Sequence, residues 1–189
     1  MMRSMAILSF LTALVCGMQS NTIQFVGESV DIELKQASIL ISGIYHFRNS
    51  SPEPVNSRIF YPLPVDENHV FPNAIRVRYG QGKPIQFTAH PRGISFAAHF
   101  PPDSSIAIEI GYRQQTPNHS MRYILTSTAG WGSALKWGHY SVWHDSAYAI
   151  DTSSLDFDTT FTVVKRVFHT AFRTNFMPTE DIQIKWGQR

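Results

Sequence analysis

The stretch that decides the fold runs from residue 104 to residue 112 and reads Ser-Ser-Ile-Ala-Ile-Glu-Ile-Gly-Tyr. Large side chains occupy every second position, at Ile106, Ile108, Ile110 and Tyr112. Successive side chains of a strand point to opposite faces, so this alternation places the four on one face and the small or charged residues on the other. The stretch therefore predicts a β-strand with one buried face.

The same alternation recurs along the chain, and proline, glycine and asparagine cluster between the runs, as at 49–54, 80–84 and 101–103. Short strands separated by such turns predict an all-β fold, an antiparallel β-sandwich of the immunoglobulin-like kind. The other predicted buried faces are Val30/Ile32/Leu34, Ile39/Ile41/Gly43/Tyr45/Phe47, Ile75/Val77/Tyr79, Ile85/Phe87/Ala89, Ile94/Phe96/Ala98/Phe100, Met121/Tyr123/Leu125 and Ile182/Ile184/Trp186.

Two segments do not follow this pattern clearly. In 159–172 the apolar residues Phe161, Val164, Phe168 and Phe172 recur at helical spacing, but threonine and valine are frequent there. We predict strand for this segment, with helix as the alternative. Residues 131–138, which read Trp-Gly-Ser-Ala-Leu-Lys-Trp-Gly, are predicted to form a loop or one helical turn.

The N-terminus has the layout of a secretory signal. Arg3 precedes an apolar run of about a dozen residues, too short for the ~20 that cross a bilayer as a helix. We predict a cleaved signal at 1–20, followed by a single domain at 21–189. The only cysteine, Cys16, lies at the end of the run, so either the chain is cleaved near Gly17 or Ser20, or Cys16 carries a lipid anchor. The mass of the mature N-terminus distinguishes these two cases.

The composition limits the classes of function. The chain has 189 residues, 43% hydrophobic and 16% charged, and its net charge of +2 falls to +1 once Arg3 is removed, which indicates no nucleic-acid partner. Without Cys16 the domain has no disulfide and depends on its core. No later stretch is long enough to cross a membrane.

A basic surface would form if the strands of Arg76 and Arg78 adjoin that of Arg92. We predict instead a solvated face, whose charge is balanced by the acidic residues Glu28, Asp31, Glu33 and those of 151–158.

The opening strands carry a recognisable arrangement. A strand that ends in Phe47-Arg48-Asn49 is followed by one that ends in Tyr61-Pro62-Leu63-Pro64. This order resembles the opening of VIT domains, the modules of vault protein and inter-alpha-trypsin inhibitor, and also that of exported bacterial domains. The resemblance implies an extracytoplasmic, VIT-like β-sandwich used for interaction, without catalytic residues to transfer.

Motifs of known chemistry do not occur. The sequence has no Gly-x-Ser-x-Gly elbow and no Walker spacing, and its eight histidines form no His-x-His or His-x-x-x-His pair. We therefore predict no catalytic residues, no cofactor and no metal site. A hydrolase of unfamiliar type remains an alternative, since catalytic groups can come from distant parts of a chain.

One cluster is a candidate binding site. Trp131, Trp137, Tyr140 and Trp143 lie within thirteen residues, and exposed rings of this kind stack on sugars. The other interpretation is that these rings fill the core and its open end. The sequence thus predicts an exported, non-catalytic interaction domain of the cell envelope or the extracellular space, periplasmic, surface-bound or secreted, with a protein or glycan partner. A carbohydrate-binding module that uses the four rings is the alternative.

Overall fold

The computed structural model describes residues 22–189, so the predicted signal at 1–20 and Cys16 lie outside the described residues. Within 22–189 no helix is long and apolar enough to cross a membrane. The described part consists of strands and one short 3₁₀ turn, Thr126–Trp131. The strands are β1 Ile23–Leu34, β2 Ser38–Asn49, β3 Val55–Pro62, β4 Asn73–Tyr79, β5 Phe87–His90, β6 Gly93–Phe100, β7 Ser105–Gln115, β8 Ser120–Tyr123, β9 Leu135–Asp145, β10 Tyr148–Ser153, β11 Thr159–Val163, β12 Arg166–Phe176 and β13 Ile182–Gln188.

A seven-stranded sheet forms one layer, in the order β11-β12-β9-β1-β2-β7-β4. Its neighbouring strands pair antiparallel except β1 and β9, which run parallel with Glu28 beside Gly138 and Leu34 beside His144. A parallel pair requires a long crossover, and here the chain between β1 and β9 builds most of the other strands. The sandwich is therefore mixed at this one pair.

Two three-stranded sheets, β10-β13-β8 and β3-β6-β5, cover the inner face of the large sheet. Their inward side chains and those of the large sheet form one continuous core. Phe47 of β2 meets Phe100 of β6 edge-on, with ring centroids 5.9 Å apart. Trp186 of β13 is fully buried and donates its indole N–H to the carbonyl oxygen of Lys35 at 3.0 Å.

The predicted all-β sandwich is confirmed, and most of the predicted faces are buried. Segment 159–172 is strand, as predicted, because β11 and β12 form a hairpin in which Phe161 lies beside Phe168. The prediction of a loop at 131–138 is wrong for its second half, since β9 begins at Leu135. The predicted burial of Phe87 and Ala89 is also wrong, because β5 is a four-residue edge strand with exposed side chains.

Candidate functional site

A glutamate lies inside the sandwich where the alternation of β1 calls for an apolar residue. Glu28 occupies the same face as Val30, Ile32 and Leu34, and only 2% of its surface is exposed. On one side its neighbour in the sheet is Tyr45 of β2, and on the other it is Gly138 of β9. The grouping of Glu28 with surface acids is therefore wrong, because its position on the strand faces the core.

Two tyrosines hold the carboxylate. The Tyr123 hydroxyl donates to Glu28 Oε2 at 2.7 Å, and the Tyr140 hydroxyl donates to Oε1 at 2.8 Å. Tyr123 comes from β8 in a small sheet and Tyr140 from β9 in the large sheet. The carboxylate thus links the two layers through charge-assisted hydrogen bonds.

The hydrogen bonds continue away from Glu28 through more tyrosines. The hydroxyls of Tyr45 and Tyr123 lie 3.2 Å apart, and those of Tyr45 and Tyr61 lie 2.7 Å apart. Tyr112 lies next to Tyr61, with ring centroids 6.3 Å apart. Burial raises the pKa of all five tyrosines in this tyrosine cluster well above the usual value, so each stays protonated at neutral pH. They are Tyr45, Tyr61, Tyr112, Tyr123 and Tyr140.

Two glycines make room for the tyrosine cluster. Gly43 precedes Tyr45 by two residues, and a methyl group at Gly43 would overlap the Tyr45 hydroxyl. Gly138 stands in the same relation to Tyr140, and a methyl group there would lie 2.7 Å from the Tyr140 hydroxyl. Residues two apart share a face of a strand, so each tyrosine leans over its glycine. This arrangement lets the Tyr140 hydroxyl reach Glu28.

Burial raises the pKa of the Glu28 carboxyl to about 7, although the hydrogen bonds from Tyr123 and Tyr140 lower it. Desolvation is the larger effect because a buried carboxylate loses its water. None of the ion pairs among residues 22–189 includes Glu28. The glutamate therefore changes charge near neutral pH, and no cationic side chain of the described part of the chain is paired with it.

An open cleft leads to this carboxylate. Glu28, Tyr45, Tyr61 and Tyr123 line it, and apolar side chains from both layers complete its walls; these include Phe25, Phe47, Ile59, Phe96, Ile108, Ile110 and Trp131. Its cavity volume is about 50 Å³. A water needs about 10–15 Å³ and an apolar cavity of about 150 Å³ holds benzene. The cavity therefore has room for a few waters or a small chemical group.

The structure does not bring the four predicted site residues into one surface. Trp131, at the end of the 3₁₀ turn, lines the cleft and contacts Phe25 and Phe47, with ring centroids 5.9 and 5.2 Å apart. Tyr140 is fully buried beside Glu28. Trp137 and Trp143 are half-buried on the outer face of the large sheet. Trp137 and Trp143 are six residues apart along β9, so their side chains lie on the same face of the strand. Tyr140 is three residues from each of them, so its side chain points to the opposite, inner face.

The outer face around Trp143 carries further rings. The Trp143 ring stacks on Phe168 at 6.0 Å, and Phe168 stacks on Phe161 at 5.2 Å. The Arg166 guanidinium lies 4.9 Å from the centre of the Trp143 ring. Trp137 packs on the ring of His46 at 5.0 Å. We call Trp137, Trp143, Phe161, Phe168 and Arg166 the outer aromatic face.

The other titratable residues of the described part of the chain include one pair of histidines but no metal centre. Within 22–189, no group of three histidine, cysteine, aspartate or glutamate residues could hold a metal ion. His144 and His169 form a pair, with Nε2 atoms 3.1 Å apart. The Asp145 carbonyl accepts a hydrogen bond from His144 Nδ1, so the neutral pair is satisfied when His169 Nε2 donates to His144.

The strands that carry the arginines do not adjoin. Arg78 on β4 pairs with Glu109, and Arg92 lies between β5 and β6 in another sheet.

The candidate site escaped the sequence analysis although one local signal existed. Glu28 continues the even-numbered inward positions of β1, and buried tyrosines stand at inward positions on five further strands. A buried tyrosine hydroxyl requires a partner, so inward tyrosines together with one inward glutamate indicate a polar cluster. Which tyrosines meet Glu28 depends on how the sheets stack.

Comparisons with known proteins identify the fold. No protein-family model matches this sequence, and no curated protein does. A putative nutrient binding protein of Legionella pneumophila superimposes with a TM-score of 0.70 at 14% identity, over 87% of this chain and 67% of that chain. An M1 zinc metallopeptidase of Deinococcus radiodurans superimposes with a TM-score of 0.55 at 9% identity, over 87% of this chain and 42% of that chain. At such identities the likeness shows a common β-sandwich, and this chain spans less than half of the peptidase.

Proposed function

We propose that this protein is an exported, non-catalytic binding domain that holds a small ligand with a polar head and an apolar body in the cleft above Glu28. The observation that carries the proposal is the buried carboxylate at the floor of an open, aromatic-lined cleft. Binding sites typically combine an apolar wall with a few convergent polar groups and a group of shifted pKa. Export is inferred from the sequence of residues 1–20.

Other observations support binding rather than catalysis. The groups that line the cleft are carboxylate, hydroxyl, aliphatic and aromatic, and no histidine lies among them to activate Ser127 or Thr128. The superimposed Legionella pneumophila protein is a putative nutrient binding protein, which is compatible with a ligand site on this fold. The VIT-like opening strands likewise favour an interaction domain.

Nuclear magnetic resonance tests the proposal through the indole N–H signals of the four tryptophans. We expect 1-butanol, n-butylammonium or butyrate, added at millimolar concentration, to shift the Trp131 signal, because Trp131 lines the cleft. The signals of Trp137 and Trp143 should stay in place because these rings lie on the other side of the sheet. Trp131→Ala should weaken binding about tenfold, whereas the matched Trp143→Ala should not. A Trp131 signal that none of the three probes moves would reject the cleft as the binding site.

A second candidate function uses the outer aromatic face. Trp137 and Trp143 keep part of their rings exposed on one face of the sheet, and Arg166 adds a polar group beside Trp143. Rings of this kind can stack on a sugar, which is the carbohydrate-binding alternative. We expect a glycan array to detect binding that Trp137→Ala and Trp143→Ala each reduce at least about fivefold, while Trp131→Ala leaves it unchanged. Binding that survives both substitutions, or no binding to any glycan, would contradict this alternative.

A further inference from the structure

We infer that the group bound in the cleft is a protonated alkylamine head, whose ammonium pairs with the Glu28 carboxylate while the aromatic walls pack on its alkyl chain. The inference rests on the proposed binding cleft and adds the class of ligand. Three independent features of the site carry it: a missing counter-charge, unused acceptor positions and the nature of the walls.

The first feature is the missing counter-charge. Buried carboxylates in proteins are normally paired with a cation, since an unpaired buried charge is strongly disfavoured. Glu28 is 2% exposed and takes part in none of the ion pairs among residues 22–189. It nevertheless lines the cleft, so a cation that enters from the mouth can reach it. A bound ammonium would provide the charge that the described residues do not.

The second feature is hydrogen-bonding capacity. Each oxygen of an ionised carboxylate can accept two hydrogen bonds, and Tyr123 and Tyr140 supply one to each oxygen of Glu28. One acceptor position therefore remains on each oxygen. The hydroxyl oxygens of Tyr45 and Tyr61, in the same wall, accept as well. A primary ammonium has three N–H donors and matches this set, whereas a quaternary ammonium has none.

The third feature is the aromatic wall. The rings of Phe25, Phe47 and Trp131 lie in mutual contact at 5.1–5.9 Å between centroids, and Tyr45 and Tyr61 line the same cleft. Aromatic faces attract cations, most strongly where water is excluded. The cavity volume of about 50 Å³ suits a head of about two non-hydrogen atoms, the ammonium and its first carbon, with the rest of the chain extending to the mouth. The wall thus fits an alkylammonium better than a carboxylate, which Glu28 would repel.

Glu28 is the group in this cluster whose charge changes near neutral pH, because the tyrosines around it stay protonated there. Four tyrosines on four different strands surround it, and burial raises the pKa of each; they are Tyr45, Tyr61, Tyr123 and Tyr140. The Arg173 guanidinium, whose charge lowers the pKa of Tyr140, is paired with the Asp158 carboxylate at 2.9 Å. An alkylammonium keeps its proton to about pH 10. Its affinity should therefore rise as Glu28 ionises.

Titrations of n-butylammonium and its neutral analogue 1-butanol into the full chain test the inference, with the Trp131 indole signal as the readout. At pH 8 we expect butylammonium to bind at least about tenfold more tightly than 1-butanol, because only the cation pairs with the carboxylate. Between pH 6 and pH 8 its affinity should rise about tenfold, following ionisation of a group whose pKa is about 7. The affinity of 1-butanol should not follow this profile.

Glu28→Gln is the decisive variant, and Asp31→Asn is its matched control, because Asp31 is an exposed acid on the same strand. Glu28→Gln should abolish the preference for butylammonium and the pH dependence of its affinity, but should still bind 1-butanol. Asp31→Asn should change neither the preference nor the pH dependence.

Nα-acetyl-lysine methylamide, added in parallel, distinguishes a lysine side chain of a polypeptide from a free amine, and binding of either supports the inference. Equal binding of butylammonium and 1-butanol, or tighter binding of butyrate, overturns the ligand class and leaves the cleft proposal standing. If none of these probes moves the Trp131 signal, both fail.

Discussion

Glu28→Gln should remove a pH dependence of stability worth about 3 kcal/mol. Burial raises the Glu28 pKa from 4.5 to about 7, and each pH unit of such a shift corresponds to about 1.4 kcal/mol. Between these two pH values the folded chain holds a proton that the unfolded chain has lost. The free energy of unfolding therefore falls as pH rises from 4.5 to 7 and then levels off. The variant is neutral throughout and should lack this decline.

Urea denaturation at pH 5 and pH 8 measures this effect as the difference between wild type and variant. Burial lowers the pKa of His46 and His169, whose contributions run in the opposite direction with pH, and the difference cancels them. We expect similar stabilities at pH 5 and a variant more stable by about 3 kcal/mol at pH 8. The glutamine amide can accept from one tyrosine and donate to the other. Parallel pH profiles for the two proteins would contradict an ionisable, buried Glu28.

Trp186→Ala should cost about 3–5 kcal/mol, the range for deletion of a large buried ring. Trp186 is fully buried on β13, and its indole N–H donates to the Lys35 carbonyl at 3.0 Å. Lys35 lies between β1 and β2, so this side chain attaches a small sheet to the large one. Its truncation removes packing and leaves the partly buried Lys35 carbonyl without this donor.

Two further variants give the comparison for Trp186→Ala in urea denaturation. Trp186→Phe keeps a ring but loses the N–H donor, so we expect a cost of about 1–2 kcal/mol. Val70→Ala changes a side chain that is 51% exposed and should alter the free energy of unfolding by less than about 0.5 kcal/mol. A loss below about 1 kcal/mol for Trp186→Ala would mean that this contact does not attach the sheets.

The first prediction bears on function as well as on stability. If the Glu28→Gln variant is more stable than the wild type at pH 8, then the native glutamate destabilises the folded protein at that pH. Such groups are commonly found where binding or catalysis needs them. The same Glu28→Gln protein should lose its preference for an alkylammonium, so one variant links the cost in stability to the ligand.

Much of the fold could be predicted because strand patterns are local. The alternation at 104–112 predicted β7 and its buried face, and that of 39–47 predicted β2, since side-chain direction in a strand depends only on the parity of the position. The same rule could have placed Trp137 and Trp143 on one face and Tyr140 on the other. That inference was missed because 135–138 was predicted as loop rather than as the start of β9.

The sequence by itself determined that the chain folds as β-strands with buried faces, because hydrophobic alternation and turn residues act over a few positions. Only the tertiary structure decided where Glu28 lies and what surrounds it. Its hydrogen-bonding partners Tyr123 and Tyr140 are 95 and 112 residues away along the chain. The parallel pairing of β1 with β9 and the stacking of β8 on β1 bring them together, and neither follows from a local pattern. The β-domain predicted from the sequence therefore gains a candidate site, a carboxylate surrounded by tyrosines in an aromatic cleft.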